Sequence, residues 1–146
     1  VAAAVALGVD QISKAIIRVY LPKGESASLG FIRITQVNNA RSAFGLIPAS
    51  PWPFFAASIV IFFLLLLALW RWGGPGNRVF QVGMGLIAAG AIGNIIDRIA
   101  LGSVVDFIDV GFWPVFNVAD IAIVIGVIIA LAFVAIRTWK PEEENA

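Results

Sequence analysis

Cysteine and histidine are both absent from this 146-residue sequence. Their absence excludes disulfides, thiolate nucleophiles, Ser-His relays and the nitrogen and sulfur ligands of ordinary zinc sites. It says little about redox compartment, because a membrane-embedded fold does not depend on disulfides. Charge is also scarce. Only 13% of residues are Asp, Glu, Lys or Arg, and they nearly cancel to +1, whereas a soluble domain carries roughly 25%. No cluster of cations exists that would neutralise a row of phosphates, so no nucleic-acid partner is expected. Any catalysis falls to carboxylates, Lys, Ser, Thr or the single tyrosine, Tyr20.

What the chain has instead is apolar length. Hydrophobic residues make up 60% of it, above the roughly 45–50% of soluble domains, and they fall into runs. A bilayer core about 30 Å thick takes about 20 apolar residues in a helix. The pattern predicts a single integral membrane domain, 1–146, with spans at about 1–20, 54–70, 79–96 and 118–136. Val1 to Val9 lacks the charged start and small-residue cleavage site of a signal peptide, and is expected to be the remainder of a first span whose beginning is missing. Trp52 and Trp70 flank the second span as interfacial aromatics do, and Gly73 to Asn77 is a turn by composition. Gly85, Ala89 and Gly93 lie four apart and give the third span a smooth packing face. Two outer segments remain, at about 21–51 and 100–116. Alternation in Phe31 to Val37 predicts a short strand, and Ser103 to Phe107 a second extended stretch. Arg71 and Arg78 crowd the short loop and favour a cytoplasmic Gly-Pro turn.

A charge at the bilayer centre is expensive, at least about 2.5–3.5 kcal/mol on insertion scales, so polar residues in or beside spans are functional candidates. Asn94, Asp97 and Arg98 end the third span, Asn117 and Asp120 open the fourth, and Asp106 lies between them; all gather at one membrane edge. Each also has a plainer reading. Asp97 with Arg98 would make an interfacial ion pair, Asp10 with Lys14 an i,i+4 pair, and Asn117 an N-cap with Asp120 at the third helical position. Asp109 has no motif around it and is expected to be solvated. Two aspartates without His, Cys or a metal cage point to a carboxylate pair sharing one proton, one member activating water and the other serving the carbonyl. Asp106 and Asp120 would supply it. A non-catalytic four-span binding or assembly protein and a proton-coupled transporter compete with this reading, although internal repeats and interrupted spans, expected of a transporter, are not seen. No metal or cofactor is expected.

Five blocks, in order, give the sequence a family likeness: Asp10-Gln11-Ile12-Ser13-Lys14, Asn39-Ala40-Arg41-Ser42-Ala43-Phe44-Gly45, Gly93-Asn94-Ile95-Ile96-Asp97-Arg98, Val104-Val105-Asp106-Phe107 and Phe116-Asn117-Val118-Ala119-Asp120. With them the chain resembles the lipoprotein signal peptidase (signal peptidase II) family over nearly its whole length. The resemblance implies an all-α membrane protein of four transmembrane helices with a small extracytoplasmic β-cradle, a monomer in the bacterial cytoplasmic membrane with its active site at the outer face. It implies an aspartic endopeptidase that cuts prolipoproteins before a diacylglyceryl-modified cysteine, in contact with membrane lipids and open to the family inhibitor globomycin. It makes Asp106 and Asp120 catalytic, Asn39, Asn94, Arg98 and Asn117 substrate-lining, and Asp10, Lys14 and Asp97 supporting. Arg41 stands where the family usually has glycine, and arginine does not adopt φ > 0 as easily as glycine does.

Overall fold

The computed structural model describes residues 1–39, 67, 71 and 78–138. In chain order they form helix α1 (Ala2–Tyr20), strands β1 (Ser26–Leu29) and β2 (Ile32–Asn39), helix α2 (Arg78–Leu101), strand β3 (Val104–Asp109) and helix α3 (Val118–Thr138). Of the expected second span only Leu67 is described. The rest of 54–70, the 40–51 part of the outer segment with Arg41, and the Gly73 to Asn77 turn lie outside the described residues.

At about 1.5 Å per residue the three helices reach roughly 28, 36 and 31 Å, the scale of a hydrocarbon core. Among the described residues α2 is long and apolar enough to cross a membrane by itself, and the apolar part of α3 is Val118–Phe133. Helix α1 is turned inside out relative to a water-soluble helix. It buries Asp10 and Lys14, while Val5, Val9, Ile12 and Ile16 on the opposite side are each half exposed or more. Apolar side chains face outward and charges face inward, the arrangement a lipid surround selects.

Helix α2 outruns the expected span, continuing past 96 to Leu101. Hydropathy falls at Asn94, but Asn94 and Asp97 turn into the protein, so the helix has no reason to stop there. It ends at Gly102, whose φ of 71° is the left-handed helix terminator; the Gly102 N–H closes on the Arg98 carbonyl at 3.0 Å.

Small residues set the helix spacing on two faces of α2. The expected stripe meets α1 at both ends: a Cβ at Gly85 would stand 3.4 Å from the Ala3 Cβ, and one at Gly93 would stand 2.5 Å from Asp10 Oδ2. A second row, Gly83 and Gly90, faces α3. There a Cβ at Gly83 would reach within 2.9 Å of the Gly126 carbonyl, and one at Gly90 would collide with the Ala119 carbonyl. Below this close approach Phe80, Met84 and Ile87 form a core with Ala130 and Phe133.

The strands form one antiparallel sheet in the order β1-β2-β3. Asp109 is not the solvated aspartate expected. It stands opposite Arg33 in the β2–β3 register, and Arg33 Nη2 pairs with its Oδ2 at 2.8 Å. One irregularity matters for the site. Ile34 faces Ile108, but Val37 faces Asp106, so β2 carries one extra residue between them. Side chains alternate along a strand, and a bulge resets that alternation. After the bulge Val37 and Asn39 share the face of Asp106.

Candidate active site

The end of α2, the start of α3, the middle of α1 and the strands β2 and β3 converge on the polar cluster. Helix α3 starts with a reciprocal cap. Asn117 Oδ1 accepts the main-chain N–H of Asp120 at 3.0 Å, and Asp120 Oδ2 accepts the main-chain N–H of Asn117 at 3.1 Å. Both donors are among those that a helix start leaves unpaired. A third, the N–H of Ala119, is taken from outside the helix by Asp10 Oδ1 at 2.9 Å. The capping reading of Asn117 and Asp120 is therefore correct, and it coexists with their place in the site.

Asp106 on β3 is 4% exposed. Its Oδ1 accepts Asn117 Nδ2 at 2.7 Å and its Oδ2 accepts Asn39 Nδ2 at 3.0 Å. Burial pushes its carboxyl up to about 6, with the negative charge of Asp120 adding to the rise; hydrogen bonds from Asn39 and Asn117 and the charge of Lys14 oppose it. Asp120 Oδ1 accepts Asn94 Nδ2 at 3.0 Å. The two carboxylates thus meet at Asn117, which is fully buried and donates its side-chain amide to one and its main-chain N–H to the other.

Beneath the pair lies a buried ion cluster. Lys14 Nζ pairs with Asp10 Oδ2 at 2.9 Å and Asp97 Oδ2 at 3.0 Å, and donates to Asn94 Oδ1 at 2.9 Å. Its three N–H groups have three acceptors, the condition under which a buried ammonium is tolerated. Asp97 Oδ2 also accepts the main-chain N–H of Val105 at 3.1 Å, which ties β3 to α2 next to Asp106. The expected i,i+4 pair of Asp10 and Lys14 exists, but as part of an interhelical cluster. The Asp97–Arg98 pair does not: adjacent helical residues point about 100° apart, and Asp97 turns to Lys14. Arg98, half-buried, donates from Nη1 to the Asn94 carbonyl at 3.3 Å. Its guanidinium lies in the field of Asp120, Asp106 and Asp97, in that order of strength.

All nine expected site residues, Asp10, Lys14, Asn39, Asn94, Asp97, Arg98, Asp106, Asn117 and Asp120, belong to this one connected cluster. Gln11 is an addition. Its Nε2 reaches Asp10 Oδ2, the Gly93 carbonyl and Asp97 Oδ1 at 3.1–3.3 Å, joining α1 to α2. Its adjacency to Asp10 was the available signal. Among the described residues no group of three acidic side chains is arranged to hold a metal ion. Chemically, two hydrogen-bonded carboxylates with one titrating near 6 are equipped to take a proton from water and to return one to a leaving group.

Comparison with known proteins identifies the family. The family model described as Signal peptidase (SPase) II matches residues 2–136. A lipoprotein signal peptidase of Syntrophomonas wolfei is 44% identical over 140 residues, 94% of this chain and 91% of that protein. One of Moorella thermoacetica is 42% identical over 125 residues, 84% of this chain and 83% of that protein. A bacterial membrane enzyme solved by the in meso method at 2.3 Å superimposes with a TM-score of 0.85 at 32% identity, covering 99% of this chain and 92% of that one. The chain belongs to the signal peptidase II family.

Proposed function

We propose that Asp106 and Asp120 are the carboxylate pair with which this signal peptidase II removes the signal peptide from prolipoproteins. The observation that carries the assignment is their convergence on Asn117. The ionised member takes a proton from water as the water oxygen attacks the scissile carbonyl carbon. The protonated member gives its proton to the carbonyl oxygen. When the tetrahedral adduct collapses, the C–N bond breaks, the leaving nitrogen takes a proton from the first carboxyl, and a hydroxyl of the adduct returns its proton to the second carboxylate, which restores the singly protonated pair. The pair titrates as a unit, so its pH dependence belongs to both members. Arg98, Asn94 and Asn39 line the approach and hold the extended peptide by its polar main chain, Arg98 with a guanidinium whose donors are fixed in a plane.

The finer reading follows the family likeness. The bond cut is the one before a cysteine that carries a diacylglyceryl group, whose acyl chains stay among membrane lipids. The enzyme is a four-span monomer of the bacterial cytoplasmic membrane, its sheet and its site at the outer face, and globomycin occupies that site. The inward charges and outward valines and isoleucines of α1 support embedding in lipid. The direct test is cleavage of a diacylglyceryl-modified prolipoprotein by purified enzyme. Asp106→Asn and Asp120→Asn should each lower turnover at least about a thousandfold in protein that is still folded. Near-normal cleavage by either variant removes that residue from the pair.

A further inference from the structure

Lys14 is buried to 1% exposure, and the hydrolysis just described makes no use of it. Its geometry gives it a second task. An ammonium donates hydrogen bonds and accepts none. With Nζ at 2.9 Å from the Asn94 side chain, the amide oxygen must face Lys14, and the amide nitrogen is left facing Asp120 at 3.0 Å. The main-chain N–H of Asp120 orients Asn117 in the same way. It claims the Asn117 oxygen and leaves the nitrogen for Asp106 at 2.7 Å and for Asn94 Oδ1 at 3.1 Å. We propose that Lys14 is a positioning residue that fixes the orientation of the Asn94 amide, and so keeps an N–H and not a carbonyl oxygen against Asp120.

This rests on Asp106 and Asp120 being the reacting pair. The charged groups around them are Asp10 and Lys14 from α1 and Asp97 and Arg98 from α2, while β2 presents the neutral Asn39 and α3 the neutral Asn117. An N–H donor and a nearby cation both favour an ionised carboxylate. Without Lys14 the Asn94 oxygen keeps only the neutral Asn117 amide as donor, at 3.1 Å. Losing the charged donor, the stronger of the two, lets the amide turn its oxygen toward Asp120, which then needs a proton between the two. The pair holds its protons to higher pH, and the whole bell-shaped rate profile moves upward.

Lys14→Met alone strands Asp10 and Asp97 as buried anions and is expected to fold poorly. The informative variant is Lys14→Met combined with Asp97→Asn, which removes one charge of each sign and keeps an acceptor for the Val105 N–H. Turnover and KM are measured across pH on a diacylglyceryl-modified prolipoprotein, with thermal stability measured alongside. The profile should move up by about one pH unit, a tenfold fall in kcat on its acid limb, with KM little changed. Lys14→Arg, which also only donates, should return the profile to its wild-type position. A folded double variant with an unmoved profile overturns the proposal, as does a displaced profile in Lys14→Arg. Failure of the double variant to fold also overturns it, because Lys14 is then a scaffold residue. Asp106→Asn in the same assay separates the two readings: if it cleaves normally the catalytic pair itself is wrong, and if it is inactive beside an unmoved double variant only the role of Lys14 falls.

Discussion

Gly93→Ala tests the closest approach of α1 to the site. The added methyl would stand 2.5 Å from Asp10 Oδ2 and 3.3 Å from its Cγ, where ordinary contact begins at 3.4 Å. Asp10 must retreat by nearly an ångström, and it has no slack. Oδ2 holds Lys14 at 2.9 Å and Gln11 at 3.1 Å, and Oδ1 holds the Ala119 N–H at 2.9 Å. Either those bonds stretch past useful length or α1 leaves its seat on α2. Overpacking costs about 1–3 kcal/mol and a lost bond to a charged group about 1.5–3 kcal/mol. The helix propensity of alanine returns about 0.8–1 kcal/mol. The net loss is about 1.5–5 kcal/mol, a fall in Tm of roughly 3–20 °C. Gly85→Ala is the control on the same stripe: its methyl would touch only the Ala3 Cβ at 3.4 Å, so stability should hold or rise by up to about 1 kcal/mol. Thermal unfolding of both variants in one detergent, with prolipoprotein cleavage, makes the comparison. Cleavage should fall in Gly93→Ala, because Asp10 caps the turn that carries Asp120. A Gly93→Ala enzyme as stable and active as Gly85→Ala would refute the packing account.

Three further outcomes follow from the site. Because burial raises Asp106 to about 6 from 3.8, its contribution to stability is full below about pH 4 and is lost as pH rises through 6. Asp106→Asn should therefore unfold at a higher temperature than wild type above pH 7, by up to about 3 kcal/mol, with the gap closing near pH 4; a constant gap across that range would show that Asp106 is not perturbed. Arg98→Lys keeps the charge but loses the planar fork, and cleavage by folded enzyme should drop at least about tenfold, or about 1.4 kcal/mol of transition-state stabilisation; full activity returns Arg98 to a structural role. Chelators should leave cleavage intact, and inhibition by EDTA that added zinc reverses would count decisively against a metal-independent carboxylate pair.

The candidate cluster was legible in the sequence because polar residues in apolar surroundings are costly and so are informative, while the roles given to its members came from the family likeness. Asn94, Asp97 and Asp120 stood out for that reason, and the structure gathers them. The pairing among them was less legible. Asp97 is next to Arg98 in sequence, yet helical geometry turns it toward Lys14 on another helix. Asp109 looked isolated because its partner, Arg33, sits on another strand. The bulge in β2 shows in the sequence only as one lengthened step, Ile34 to Val37, in an otherwise alternating stretch, although it decides that Asn39 faces Asp106. The end of α2 was missed because hydropathy registers polarity, whereas the helix responds to where that polarity points. The main-chain donors of Val105 and Ala119 carry no residue-type signal at all.

The Asp10–Lys14–Asp97 cluster also bears on how such a chain enters a membrane. Asp10, Lys14 and Arg18 make α1, taken as a span, a poor candidate for partitioning alone, since each charge adds about 2.5–3.5 kcal/mol near the middle of a bilayer. Asp10 and Lys14 are one helical turn apart and 2.9 Å from one another, so this pair needs no other helix to form. Asp97 comes later in synthesis and brings a second anion to the same ammonium. The Asp10–Lys14 pair lies within α1, whereas the Lys14–Asp97 pair needs α1 and α2 packed together. In a lipid surround α2 without α1 would keep Asp97 as an unpaired anion, so the lysine of one helix sets the cost of leaving the other undocked.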